Sequence, residues 1–262
     1  MATIHLVDSE KGGAGKSLFA RVLVEYCIDR QLDYHLVEAD ASNPDVGETF
    51  SKVISEAKSE NGALSRRYDY TRIVFSEAER KADEADLLFD LALKQPVIVN
   101  LPAQVFTLVN EWIDRNNLLE LEDQHQVRLC KWFVCTGGYD SVRLFLASID
   151  HYGGKLPHIL VRNWGLQDDW SHLEEHAVLQ AALSKHKIPI VDLPKLSYRE
   201  RDYFDEHRIS FSQALAESRF GILGMQRVFK FLRSAHDSID SSGMWNKQAA
   251  KPKPKSDVTG ES

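Results

Sequence analysis

Short apolar runs alternate along the chain with longer stretches of helical spacing. Runs at Thr3–Val7, Tyr34–Val37, Arg72–Phe75, Val97–Leu101, Leu129–Cys135, His158–Arg162 and Ile188–Val191 have strand length and strand composition. Between them, Leu18–Arg30, Glu77–Leu93 and Gln104–Leu119 place apolar residues at helical spacing. Strands separated by helices imply right-handed βαβ crossovers. The predicted class is therefore α/β: one domain with a mainly parallel, twisted sheet and helices on both faces. The segment Ser51–Tyr70 is polar and weakly patterned and reads as a helix plus a surface loop. After Ala235 apolar residues thin out and Lys-Pro alternation begins. Residues 1–235 are thus expected to form the folded domain, with 236–262 a disordered tail that buries too little to offset its ordering entropy.

Composition narrows this picture. The 262 residues, 43% hydrophobic and 27% charged, suit one large soluble domain. No run approaches the roughly 18 apolar residues of a membrane span. The first residues lack the basic start of a signal peptide, and the tail lacks the apolar face of an amphipathic membrane helix. Cys27, Cys130 and Cys135 have no Cys-x-x-Cys spacing and read as buried thiols of a reducing compartment. A cytoplasmic protein without membrane attachment is expected. The net charge of −7 means that binding to DNA would need a local basic patch.

The candidate chemistry starts directly after the first strand, where residues 10–17 read E-K-G-G-A-G-K-S. Gly12, Gly13 and Gly15 let backbone N–H groups wrap an anion. The helix that follows turns its positive end to the same point. Lys16 can reach terminal phosphates and the Ser17 hydroxyl can ligate Mg²⁺. The alternative is a flexible turn that happens to contain G-K-S.

K-G-G-x-G-K-[ST] resembles the deviant Walker A motif of the ParA/MinD family of P-loop ATPases. The resemblance spans about residues 1–235. It implies that ATP and Mg²⁺ bind at Lys11, Gly12, Gly13, Ala14, Gly15, Lys16, Ser17 and Leu18. It also implies an ATP-dependent homodimer in which Lys11 reaches the partner's nucleotide, as an arginine finger does. In L-V-E-A-D, Asp40 matches the family's water-positioning aspartate, and Glu38 replaces a second one; the plain reading of Asp40 is a helix cap. In V-I-V-N-L-P, Asn100 stands where the family has an aspartate that holds Mg²⁺ through water. An amide brings no charge, so weaker metal retention and slower turnover are expected. Residues Pro102–Gln104 would form the γ-phosphate switch. Asn163 matches the adenine-reading asparagine, or is a turn residue before Gly165, and Pro194 lies in the segment that closes over the base.

The resemblance implies a slow ATPase, stimulated by a partner protein, that acts in plasmid partition, mobilisation, conjugal transfer or cargo positioning; D-L-P-K-L-S-Y-R-E-R-D-Y-F resembles the transfer and mobilisation branch. Two alternatives stand beside it: a nucleotide-gated binding module with little hydrolysis, and a ligase of the dethiobiotin synthetase type. Arg219, Arg227, Lys230 and Arg233 cluster on one side of a helix expected near Ala216–Ser234, either as a DNA-phosphate track or as a solvated face. His172-Leu-Glu-Glu-His176 has the spacing of an inverted zincin, but reads as a polar helix start capped by Ser171. Trp112, Trp132, Trp164 and Trp170 read as packing residues.

Overall fold

A computed structural model describes residues 2–9, 11–51, 53, 68–76 and 78–245. Its strands are β1 (Ala2–Asp8), β2 (Tyr34–Glu38), β3 (Tyr68–Arg72), β4 (Val97–Asn100), β5 (Val127–Cys135), β6 (His158–Asn163) and β7 (Ile190–Leu193). They form one sheet in the order β3-β2-β4-β1-β5-β6-β7, with every pair parallel. The helices are α1 (Lys16–Asp29), α2 (residues 45–51), α3 (Leu87–Ala92), α4 (Phe106–Arg115), α5 (Glu122–His125), α6 (Tyr139–Tyr152), α7 (Ser171–Glu174), α8 (Ala177–Lys185), α9 (Tyr198–His207), α10 (Phe211–Ala216) and α11 (Gly221–Ser242).

Both faces of the sheet are covered, which is why its strands read as unbroken apolar runs rather than alternating ones. Val7, Leu36, Ile98, Trp132 and Ile159 pack with Phe19 and Leu23 of α1 and with Phe204, Val228 and Phe231 of α9 and α11. On the opposite face, Leu6, Val37 and Val99 meet Leu88, Val109 and Trp112. Phe133 and Leu160 meet Phe145 and Leu179 there. The three cysteines are buried and free. Among the described residues, no helix is long and apolar enough to cross a membrane.

The differences from expectation have local causes. The run Arg72–Phe75 shares only Arg72 with β3; Ile73 still donates its N–H to the Glu38 carbonyl at 3.2 Å, and Ile73 and Phe75 turn their side chains into the core. The strand itself, Y-D-Y-T-R, is a half-exposed edge, so its polar look hid it within the segment read as helix plus loop. β7 starts two residues late because Pro189 has no N–H for the ladder, although its carbonyl accepts from Leu160 N at 3.0 Å. Glu77–Leu93 divides into a 3₁₀ segment (Glu79–Asp86) and α3, and Gln104 turns left-handed (φ 59) so that α4 starts after it. The expected helix near Ala216–Ser234 is two helices, α10 and α11, and α11 runs through the expected boundary at Ala235 to Ser242. Ile239 and Trp245 are buried, and Trp245 stacks on His5 with ring centroids 4.0 Å apart. The folded unit therefore extends beyond residue 235; the tail from 246 onward lies outside the described residues.

Two core histidines make stability depend on pH. Burial pushes His5 down to about 3. Burial, with help from the Lys131 cation, pushes His158 down to about 4. The fold holds both rings neutral, while the unfolded chain protonates them below about 6.5. Their contribution is complete above that pH and drains away as pH falls toward 4 and 3. Glu38, pushed up to about 7 by burial, works in the opposite sense between about 7 and 4.5. A His158→Gln variant isolates one histidine. Between pH 7.5 and 5 it should lose about 2 kcal/mol less stability than the parent in urea unfolding.

Candidate functional site

β1 is the switch point of the sheet, with β4 on one side and β5 on the other. Ligands in open parallel sheets bind in the crevice at such a point, outside the strands' carboxyl ends. The loops after β1, β2, β4, β6 and β7 converge there on a cleft of about 650 Å³. Residues Gly12–Leu18 line it together with Asp40, Pro102, Asn163 and Pro194.

The loop after β1 has the shape of an anion cradle. Gly13 (φ 76) and Gly15 (φ 94) are left-handed, and Gly15 caps the start of α1. A Cβ at Gly12 or Gly13 would meet nothing within 4 Å, whereas one at Gly15 would lie 2.4 Å from Asn163 Nδ2. Lys16 is buried. Its Nζ donates to Ser9 Oγ at 3.3 Å and to the Lys11 carbonyl at 3.4 Å, so the side chain curls over its own loop. Glu10 lies outside the described residues. Lys11 points elsewhere: its ammonium lies 3.4 Å from Asp140 Oδ2 at the start of α6, both groups about half exposed, and it does not line the cleft.

Asp40 lines the cleft and shapes the turn after β2. Its Oδ1 accepts from Ser42 N (3.1 Å), Ser42 Oγ (2.6 Å) and Asn43 N (3.0 Å). Glu38 and Asn100 are register partners across β2 and β4, and Asn100 Nδ2 donates to Glu38 Oε1 at 2.8 Å. The carboxylate also accepts from Asp40 N (3.0 Å) and Gly47 N (2.9 Å). Both side chains are buried, neither lines the cleft, and Asn100 Oδ1 has no hydrogen-bond partner among the described residues. An aspartate at position 100 would set a second carboxylate against Glu38, which burial already pushes toward its neutral form. The two departures from the motif therefore belong together. Asn163 braces the loop: Nδ2 donates to the Ala14 carbonyl at 2.8 Å and Oδ1 accepts from Gly165 N at 2.9 Å. One Nδ2–H and one Oδ1 lone pair stay outside these two bonds.

No protein-family model matches the chain. Protein TraL of Escherichia coli is 24% identical over 256 residues, covering 93% of this chain and 100% of that protein. Protein MobD of Acidithiobacillus ferrooxidans is 26% identical over 227 residues, covering 84% and 89%. The MinD cell division protein of Aquifex aeolicus superposes with a TM-score of 0.50 at 12% identity, over 89% of this chain and 96% of that one. A putative plasmid partition protein from Borrelia burgdorferi, bound to AMPPNP, gives 0.51 at 13% identity, over 89% and 99%. The chain has the fold of ParA/MinD-like P-loop proteins.

Part of this cleft was not expected from the sequence. Arg21, a lone cation within the apolar face of α1, is buried; it donates to Asp45 Oδ2 at 2.9 Å and to Asp205 Oδ1 at 3.0 Å. It thereby ties α1 to α2 and α9. The spacing Arg201, Asp205, Arg208 puts one stripe of α9 and its cap on the cleft wall. Both the single arginine and the i, i+4, i+7 spacing are visible in the sequence.

Other expectations change. Arg219 lies in the connection before α11 and pairs with Glu217, and Arg227 Nε donates to buried Glu200 at 3.0 Å. The four-residue basic stripe is therefore not one helix face, and only Lys230 and Arg233 of it remain on α11 outside these pairs. His172 and His176 do not share a helix: His172 Nε2 bonds the Gly137 carbonyl, and His176 caps α8 by accepting from Leu179 N. Trp112, Trp132 and Trp170 are core residues, and the Trp164 indole donates to Asp192 at 2.8 Å.

Gly15 is the position where the loop has least freedom. Gly15→Ala combines a left-handed φ with a collision at Asn163, so it should cost about 1–3 kcal/mol in stability, read as a lower Tm. Adding Asn163→Ala should recover only part of that, because the bond to the Ala14 carbonyl goes with the side chain.

Proposed function

We propose that this ParA/MinD-like protein binds MgATP in the glycine-loop cleft, hydrolyses it slowly, dimerises around it and acts in plasmid transfer or mobilisation. The observation that carries the reading is the loop: two left-handed glycines and a buried lysine at the head of α1, opening on a cleft of about 650 Å³. Backbone N–H groups and Lys16 would hold the phosphates, and Ser17 the metal, whose charge offsets that of the phosphates. Asp40 would orient water from the cleft wall, Pro194 and the loop at Asn163 would border the base, and Lys11 would serve the nucleotide of a second copy. The relatives TraL and MobD, of plasmid transfer and mobilisation, support the cellular setting, and the AMPPNP complex of the Borrelia protein supports an adenine nucleotide.

Lys16→Ala should abolish nucleotide binding by calorimetry. Lys11→Ala should bind normally, yet give less dimer on size exclusion with ATP and slower phosphate release. A Lys11→Ala protein that dimerises and turns over like the parent would remove the cross-subunit role.

The buried Glu38–Asn100 pair favours a second reading, a nucleotide-gated module with little hydrolysis. Asn100→Asp alone should destabilise the fold, by about 1–3 kcal/mol, because it opposes two buried carboxylates. Glu38→Gln combined with Asn100→Asp returns a single carboxylate to the end of β4. A rise in steady-state phosphate release by that pair, from a parent near zero, supports the gated module; an already active parent with no rise supports the ATPase.

A further inference from the structure

A fully buried lysine lies in the middle of the sheet, on the strand next to the glycine loop. Lys131 of β5 is 0% exposed and its ammonium lies 3.2 Å from Asp8 Oδ2, itself 1% exposed. Removing two charges from water is expensive, and a pair of apolar residues of similar volume generally serves stability as well or better. The pair therefore needs a reason other than stability.

The hydrogen-bond inventory supplies one. His158 Nδ1 lies 2.8 Å from the Leu156 carbonyl, which can only accept, so Nδ1 carries the proton and Nε2 is an acceptor. The Ser148 hydroxyl, 2.9 Å from Nε2, must then donate to it. Its lone pairs face Lys131 Nζ at 3.3 Å. The rings of Phe106 and Tyr152 flank the same ammonium, with centroids 5.2 and 5.5 Å away. The lysine is thus held from the side of α6 and β6 and reaches toward the end of β1. There Asp8 Oδ1 accepts from Ser9 N at 2.7 Å, which orients Ser9. Ser9 Oγ donates to the Lys11 carbonyl at 2.9 Å and accepts from Lys16 Nζ at 3.3 Å. An unbroken polar chain therefore runs from His158 through Ser148, Lys131, Asp8 and Ser9 to the loop lysine.

We propose that Lys131 is a positioning residue for the phosphate loop: by clamping Asp8 it fixes Ser9 and the seat of Lys16. This rests on the phosphate-binding reading above. The lysine touches no ligand itself; it sets the geometry of the residue that would.

The test separates a structural role from a positioning one. Lys131→Met leaves Asp8 buried without a cation and should lower both Tm and affinity. Asp8→Leu with Lys131→Met gives an apolar pair that should melt within a few degrees of the parent. Its affinity for inorganic tripolyphosphate and for MgATP should nevertheless fall about tenfold, the scale of one lost hydrogen bond to a charged group. The Ser9 and Lys11 amides should exchange hydrogen faster in it with no ligand present. Ser148→Ala keeps both charges but leaves His158 Nε2 without its donor, so it should lower Tm by a few degrees and lose two- to fivefold in affinity, roughly half of that effect on a logarithmic scale. An apolar pair with parental affinity and parental exchange at Ser9 would overturn the proposal; should that pair fail to fold, an unchanged Ser148→Ala affinity would do so. A parent that binds neither tripolyphosphate nor MgATP would overturn the nucleotide reading instead; exchange at Ser9 in Lys131→Met, which keeps the Asp8 acceptor, would then decide the role of Lys131, parental exchange overturning it.

Discussion

Placing a cation inside a protein next to an open cleft is the constraint on which this structure turns. Lys16 is buried at the first residue of α1, on the positive end of its own helix. Neither burial nor the helix dipole favours an ammonium there. It is held by oxygen atoms of its own loop, the Ser9 hydroxyl and the Lys11 carbonyl, at distances that leave both bonds long. A loop that gathers a buried cation beside backbone N–H groups is a seat for an anion. The remaining architecture follows from holding that loop still. β1 sits between β4 and β5, Asn163 braces Ala14 from β6, and Arg21 ties α1 to α2 and α9.

Much of this arrangement was legible in the sequence, because both faces of a parallel sheet are buried and its strands stand out as apolar runs. Five of the seven expected strands overlap those observed over most of their length; the run at Ile188–Val191 shares its second half with β7, and the edge strand meets its expected run only at Arg72. Y-D-Y-T-R buries little, so its composition carries no strand signal. The C-terminal end of α11 was hidden for a related reason. Ile239 and Trp245 are separated by serines and an aspartate, and their burial comes from β1 and α1, far away in sequence. Local pattern reports local periodicity, and neither element depends on it.

At the cleft, residue types were legible but their engagements were not. Glu38 and Asn100 looked like two separate lapses from a motif, and their registration across β2 and β4 makes them one unit. A buried carboxylate pushed up to about 7 does not tolerate a second one at hydrogen-bonding distance, and an amide is the neutral group of the same shape. The cost of the exchange is visible in Asn100 Oδ1, a buried acceptor with no partner among the described residues.

Which contacts must yield when a ligand enters follows from their burial. The Lys11–Asp140 pair is about half exposed on both sides, and such pairs are worth about 0–1 kcal/mol. That is too little to hold Lys11 back from a neighbouring triphosphate, so the pair cannot be what keeps two copies apart. Asn163 is different: it is buried, and both ends of its amide are satisfied by the backbone of Ala14 and Gly165. Taking either bond away would loosen the glycine loop. Each end keeps one further bonding site, a second Nδ2–H and a second Oδ1 lone pair, so neither recognition there nor recognition by the backbone around Gly165 and Pro194, which also face the cleft, requires the brace to be released. The loop can then stay braced while the base is read beside it.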